Sequence, residues 1–210
     1  MNYIIIEGPD YTGKSTLVSL LAAKLTEQGY EVETVREPGG TPMAEAMREL
    51  LKDRSLPRSR DCELLAMLAA RADVINSKVI PAIDAGKVVI SDRGNPSSFA
   101  YQAYGDPNLI NAYERFRPIT VPLNPLYIFL DASYETMIKR KAERAQAVDA
   151  IEMRYESEQA YNTLREAYSE AANLEPFVIK ANTDTSTPEE ILCQIILAIK
   201  SHLVTSVPSH

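Results

Sequence analysis

Gly8-Pro9-Asp10-Tyr11-Thr12-Gly13-Lys14-Ser15 is the segment whose residue types and spacing point most directly to chemistry. It matches the spacing Gly-x4-Gly-Lys-Ser/Thr. It lies between a β-branched run, Tyr3–Glu7, and an apolar-periodic stretch that starts at Lys14. That strand–loop–helix context is what the chemistry requires. The glycines let the backbone curl until successive N–H groups face a polyphosphate, and the helix N-terminus adds its positive end. Gly8, Pro9, Asp10, Tyr11, Thr12, Gly13, Lys14, Ser15 and Thr16 are thus the expected contacts to a nucleoside triphosphate. Lys14 reaches the β- and γ-phosphates, and Ser15 offers its hydroxyl to Mg²⁺. The competing reading is a chance match in a turn, which the flanking strand and helix disfavour. The loop predicts triphosphate binding without choosing the reaction, because motors, GTPases and small-molecule kinases all use it. The Asn-Lys-x-Asp step with which a GTPase reads its base is missing from the chain.

Three further clusters narrow the reaction. Asp92-Arg93 follows the short run Val88–Ser91. In doubly wound sheets the ligand crevice lies outside such strand ends, and an arginine there can clamp a phosphate with two bonds. Arg36-Glu37-Pro38-Gly39-Gly40-Thr41 also follows a strand, and its glycines make a second anion-friendly backbone; taken alone it is a plain strand-to-helix loop. Lys139, Arg140, Lys141 and Arg144, followed by Asp149 and Glu152, gather positive charge in an acidic chain. That cluster has two readings. One is a solvated helix face with pairs such as Arg140–Glu143. The other is a lid that closes cations over a transferring phosphoryl group and excludes water. Asp131, at the end of Leu126–Asp131, is as readily a helix N-cap as a site residue.

The elements that must position these groups alternate. Strands are expected at Tyr3–Glu7, Glu31–Val35, Val88–Ser91, Leu126–Asp131 and Phe177–Lys180. Helices are expected at Lys14–Gln28, at Thr41–Lys52 with Thr41 as N-cap, and from an Asp61 cap to about Asp84. Others follow at Ser97–Tyr104, Pro107–Arg115, Ser133–Ala145, Glu152–Ala172 and Glu189 to about Leu203. Five strands alternating with helices imply an α/β three-layer fold, a five-stranded parallel sheet with right-handed crossovers and helices on both faces. One domain over residues 1–210 is expected, with a short lid at about 139–153 and a frayed tail after about 203.

Composition bounds the partners. The net charge of −7 argues against a nucleic-acid-wrapping surface, which needs a basic face. An anionic ligand is then held locally, by lysine, arginine and backbone N–H groups. Cys62 and Cys193 have no metal-ligand spacing and read as two small apolar side chains; His202 and His210 both fall in the last nine residues, so a histidine triad or a His-ligated zinc is not expected. Met1-Asn2-Tyr3 lacks a basic signal region and no apolar run is long enough to span a bilayer, so a cytoplasmic enzyme without a membrane anchor is expected.

Taken in order and spacing, these segments resemble the thymidylate kinase family from Tyr3 to about Leu203. The resemblance rests on the phosphate loop with acidic Asp10, Arg36 to Thr41, Ala69-Ala70-Arg71, Asp92-Arg93, Ser97 to Gln102 and Asp149-Ala150-Ile151-Glu152. It implies ATP-dependent phosphorylation of a deoxypyrimidine monophosphate, dTMP above all, with Mg²⁺, by a homodimer. On this resemblance Asp10 sits by the 3′-hydroxyl and the acceptor phosphate, and shares Mg²⁺ with Ser15 partly through water. Arg36 and Arg93 hold the acceptor phosphate. Arg71 bonds the pyrimidine edge, Pro38 packs near the 5-methyl group, and Ser98 lines the same pocket. Tyr101 lies under the sugar, Gln102 approaches the base, Arg140 lies against adenine, and Arg144 is the lid cation beside Lys14 and Arg93 in catalysis. Four positions depart from the family's pattern: Tyr11 and Gly94 stand where glycine and an aromatic are usual, Met67 where an aromatic stacks on the base, and Ala150 where an arginine is usual. A kinase for dUMP or a 5-modified dUMP, a deoxynucleoside kinase, and a non-catalytic ATP-binding module are the alternatives. The Gly39-Gly40 loop, suited to an acceptor phosphate, disfavours the nucleoside kinase. The helix at 61–84, with Leu64, Leu65, Leu68 and Val74, is the expected dimer face or ordinary core.

Overall fold

β1 (Tyr3–Glu7), β2 (Val32–Arg36), β3 (Val88–Asp92), β4 (Leu126–Asp131) and β5 (Val178–Asn182) form one parallel sheet in the order β2-β3-β1-β4-β5. The computed structural model describes residues 2–143 and 157–204, with side chains described through residue 199. β1, β3 and β4 are buried almost throughout, and they occupy the three central places, covered on both faces. The chain leaves β1 toward β2 and leaves β3 toward β4, in opposite directions along the sheet, so a crevice opens outside the ends of β1 and β3.

The connecting helices are α1 (Lys14–Glu27), α2 (Pro42–Lys52), α3 (Arg60–Val74), α4 (Ile80–Asp84), α5 (Asn95–Ser98), α6 (Pro107–Thr120), α7 (Tyr134–Glu143), α8 (Glu158–Asn173) and α9 (Pro188–Val204). The period of two sends alternate β1 side chains to opposite cores. Ile4 and Ile6 pack with Leu17, Leu21 and Leu25 of α1 and Ile191, Ile195 and Ile199 of α9. Ile5 faces the other way, into a cluster with Leu64, Leu68, Phe99, Tyr161 and Tyr168. These two layers hold the strand ends, and so the phosphate loop, in place.

Several boundaries differ from the sequence expectation. α3 is capped by Ser59, whose hydroxyl accepts from Cys62 N, and Asp61 sits within the first turn, where its charge meets the helix dipole. The helix does not run evenly to Asp84, because Ile75–Val79 is a wider π-helical segment between α3 and α4. A second such segment, Phe99–Ala103, follows α5, so the expected Ser97–Tyr104 helix is two short pieces. α6 continues past Arg115 to Thr120 even though Pro118 lies inside it and cannot make the helix bond back to Glu114. α8 begins at Glu158 behind a Ser157 cap. Leu64, Leu68 and Val74 are core residues of this chain, and Leu65 alone of the expected dimer face is exposed. Cys62 and Cys193 are exposed free thiols rather than apolar filler. Residues 144–153 of the expected lid, Arg144 included, and the tail after 204 lie outside the described residues. Among the described residues no helix is long and apolar enough to cross a membrane.

Candidate active site

The phosphate loop is bent by close contact with β4. At Gly8 (φ 136°) a Cβ would stand 2.1 Å from the Leu130 carbonyl oxygen, so only glycine fits. Gly13 (φ 93°) turns the chain into α1, whose start carries no side-chain cap and keeps its first N–H groups for a ligand. Tyr11 adopts φ 64° in the position where glycine is usual, a conformation that costs a β-carbon residue about 1–2 kcal/mol. Arg140 Nη1 bonds the Tyr11 carbonyl at 3.0 Å and helps hold it there. Thr12 Oγ1 donates to Pro9 O at 2.9 Å and tightens the same bend.

Lys14 is buried, and its Nζ donates to Pro9 O at 2.7 Å and lies 4.0 Å from Asp10 Oδ1. Burial, with Arg93 nearby, lowers its ammonium to a pKa of about 8, and Asp10 and Asp92 only partly restore it. Ser15 Oγ donates to Asp92 Oδ2 at 2.9 Å, joining the start of α1 to the end of β3. Thr16 is exposed. Lys14, Ser15, Asp92, Arg93 and Arg140 line a polar cleft of about 310 Å³. A second, more apolar cavity of about 220 Å³ lies between Gly13, Thr16, Leu17, Arg140, Pro188 and Ile191. Arg140 therefore serves the cleft: its other bonds go to Thr183 Oγ1 and Thr183 O, both 2.9 Å, and not to the Glu143 pairing of the solvated-face reading. Asp131 is neither an N-cap nor a cleft residue. It holds Arg165 with two bonds, 2.7 and 2.6 Å, while Ser133 Oγ accepts from Thr136 N at the start of α7.

Arg93 closes the cleft on the side away from α1. It turns the chain at φ 74°, donates to Gly8 O (3.2 Å), Ser97 Oγ (3.2 Å) and Tyr168 Oη (2.8 Å), and pairs with Asp10. Its guanidinium lies 5.5 Å from the centre of the Tyr101 ring, and Tyr101 Oη donates to Asp10 Oδ2 at 3.3 Å. The turn is fastened from below by Glu7, fully buried at the end of β1. Glu7 accepts from Gly94 N (2.6 Å), Ser97 N (3.2 Å) and Ser97 Oγ (2.7 Å). Burial outweighs these bonds and raises Glu7 to about 7. A Cβ at Gly94 would come within 2.9 Å of Ile5 Cγ2, which leaves little room there for the usual aromatic.

A second polar group lies deeper. Arg71 is buried; its Nε pairs with Glu37, its Nη1 donates to Asn95 Oδ1 (3.2 Å) and Ser98 Oγ (2.8 Å), and its Nη2 donates to Gly94 O (2.7 Å). Burial raises Glu37 above the usual carboxylate range despite Arg71. Pro38 is held by Arg48, whose Nη1 donates to its carbonyl at 2.7 Å. Arg36 lies exposed at the end of β2, in register with Asp92 across the β2–β3 pair. Met67 is buried one turn before Arg71, and Gln102 is buried with its Nε2 on Glu63 Oε1 at 2.7 Å.

Asp10, Lys14, Ser15, Arg93, Tyr101 and Arg140 are thus joined around one cleft, and Arg71, Ser98 and the end of β3 form an adjoining group. Sequence reasoning missed the Ser15–Asp92 bond, Glu7, Tyr168, Glu37 and Glu63. A carboxylate closing the otherwise apolar run Tyr3–Glu7 was a legible signal for Glu7. Nothing marked Tyr168, which sits at ordinary core spacing on α8.

A phosphate loop, an arginine at the neighbouring strand end and a cationic α7 side chain over the cleft are the layout of a phosphoryl-transfer site. The family model described as thymidylate kinase matches residues 6–193. The chain belongs to the thymidylate kinase family. It is 35% identical over 199 residues to a thymidylate kinase of Acinetobacter baumannii (strain ATCC 17978), covering 92% of this chain and 98% of that one. It is 39% identical over 179 residues to a thymidylate kinase of Pseudomonas putida (strain W619), covering 83% and 84%. The solved thymidylate kinase of Ehrlichia chaffeensis superposes with a TM-score of 0.73 at 25% identity, over 94% of this chain and 97% of that one. Membership in this family makes the protein a P-loop kinase, a phosphotransferase acting on a nucleotide.

Proposed function

We propose that this kinase transfers the γ-phosphoryl group of ATP to a deoxypyrimidine monophosphate, dTMP above all. The observation that carries the reading is Arg93. Its guanidinium is fixed by four groups in the same cleft as Lys14, so a cation is held where an acceptor phosphate would meet the donor. Phosphoryl transfer needs two mutually repelling anions brought in line, and fixed guanidinium and ammonium groups do that with little reorganisation. In this reading Gly8 to Thr16 wrap the triphosphate, adenine takes the apolar cavity beside Arg140, and Arg36 and Arg93 hold the acceptor phosphate. Asp10 and Tyr101 flank the sugar. Met67, Arg71, Ser98, Gln102 and Pro38 receive the base. Arg144 remains the lid cation of the proposal.

The donor set fits Mg²⁺. Among the described residues no cluster of three or more His, Cys, Asp or Glu could hold a metal alone. A serine hydroxyl beside a carboxylate, Ser15 with Asp92, suits an ion held mostly by phosphate oxygens and water, with Asp10 adding an outer contact. Bound there, Mg²⁺ would neutralise the charge that develops on the phosphates. A homodimer would rest on exposed Leu65 with exposed Phe116 and Ile119 of α6. The test is ATP consumption with dTMP, dUMP, 5-hydroxymethyl-dUMP, dCMP, dGMP and thymidine. Turnover with dTMP or a 5-substituted dUMP supports the reading; turnover with thymidine alone, or with none, overturns it.

A further inference from the structure

α3 presents a polar face where a core helix needs none. Glu63, Met67 and Arg71 stand four residues apart on it and all are buried. The Glu63–Gln102 bond has a chemical consequence. A carboxylate accepts and never donates, so Glu63 can hold only the Nε2 end of the Gln102 amide. The Oε1 end is thereby turned the other way, and among the described residues no hydrogen bond reaches it. Arg58 sets positive charge beside the carboxylate, with Nε 3.6 Å from Glu63 Oε2. It is itself tied to the carbonyls of Leu50, Leu51, Asp53 and Leu56 in and after α2. Arg71 is oriented in the same manner by Glu37, Asn95, Ser98 and Gly94. Four of its five N–H donors are used, which leaves one on Nη2.

We propose that Glu63 is a specificity-determining positioning residue. By holding the amino end of Gln102 it offers the amide oxygen as the acceptor at the base pocket, beside the one remaining donor of Arg71. A donor–acceptor pair of that polarity matches a carbonyl next to an N–H, the 4-carbonyl and N3–H of uracil and its 5-substituted forms. Cytosine presents an amino group next to a lone pair and meets both partners with the wrong polarity. The inference rests on the base lying against Arg71 and Gln102, as in the function proposed above.

The experiment is Glu63→Gln, read as the ratio of kcat/KM for dTMP to that for dCMP, with each nucleotide's kcat and KM and the KM for ATP. Glutamine has the same shape but can accept or donate, so Gln102 is free to flip. The clash of cytosine's amino group with Arg71 is common to both proteins, so the change in ratio reports Gln102. The ratio is taken within one preparation and is insensitive to the fraction folded. The expected result is a fall in the ratio of at least tenfold, carried by a higher KM for dTMP, with kcat for dTMP and KM for ATP within about threefold of the parent. A ratio unchanged within twofold, or a kcat loss shared by every nucleotide, overturns it. If the parent enzyme uses neither dTMP nor dUMP, the proposed function falls and this inference with it. If the parent uses dTMP and only the ratio is unmoved, the Glu63 inference alone falls.

Discussion

Lys14 gives the sharpest test of the phosphate site, because its burial makes triphosphate binding pH-dependent in a calculable way. Without ligand its ammonium titrates near 8, lowered first by burial and then by Arg93. Phosphate oxygens placed against Nζ favour the charged form and push the value back up. Binding therefore takes up a proton wherever Lys14 starts neutral. With a pKa of about 8, about three-quarters of the free protein is charged at pH 7.5 and roughly 3% at pH 9.5. The apparent affinity for a non-hydrolysable ATP analogue should fall about 25-fold over that interval, close to 2 kcal/mol. The sign is fixed: affinity is full below 8 and is lost as pH rises above it.

Titration calorimetry in buffers of different ionisation enthalpy reads both the affinity and the proton taken up, about half a proton per site at pH 8. Lys14→Arg keeps its charge across the range and should show a flat profile. Lys14→Met should bind weakly, also with a flat profile, and lose turnover by roughly 100- to 1,000-fold or more. A parent protein whose affinity is level from pH 7.5 to 9.5, with no proton uptake, would refute the argument. Either Lys14 is then charged throughout, or it does not touch the phosphates.

Arg93→Ala should weaken dTMP binding far more than ATP-analogue binding, since a methyl cannot replace a two-bond guanidinium–phosphate contact; separate titrations of the two ligands check it. Glu7 titrates near 7 in the folded chain, above the ordinary 4.5, so its share of stability is present at low pH and is lost as pH rises through 7. Glu7→Gln should then gain about 3 kcal/mol on the parent between pH 4 and pH 8, read from urea unfolding at each pH. Met67 cannot define a base plane as a stacked ring does, so dTMP should lead dUMP by only about 1–3 kcal/mol in kcat/KM. Met67→Phe should raise the affinity for both by a comparable amount, and a parent preference of several orders of magnitude would count against that role of Met67.

The parts legible in the sequence were those governed by local rules. Leu126–Asp131 has the expected strand bounds because an unbroken run of five apolar residues closed by a carboxylate has few alternatives inside a parallel sheet. The Gly8–Ser15 loop was legible because steric demands, such as the 2.1 Å approach to Leu130 O, leave a glycine signature. The π-helical segments were not, because the extra residue in each is set by packing against neighbouring elements and carries no compositional mark. The partners of Arg71 were equally hidden. Glu37, after β2, and Asn95 and Ser98, both of α5, come from two segments that only the β2–β3 pairing and the turn after Arg93 bring together.

That dependence bears on how donor and acceptor sides communicate. Arg93 touches Gly8 of the phosphate loop and Asp10 within it, while its own turn hangs on Glu7 and its Nη1 on Tyr168 of α8. Gly94, the next residue, gives its carbonyl to Arg71 and its N–H to Glu7. The proposed phosphate-holding and base-reading arginines therefore share one two-residue hinge. A backbone shift at Arg93 toward an incoming phosphate would carry the Gly94 carbonyl, and with it Arg71. On the proposed assignment, occupancy of the base pocket and alignment of the acceptor phosphate are mechanically one event, because a single buried carboxylate at the end of β1 anchors both.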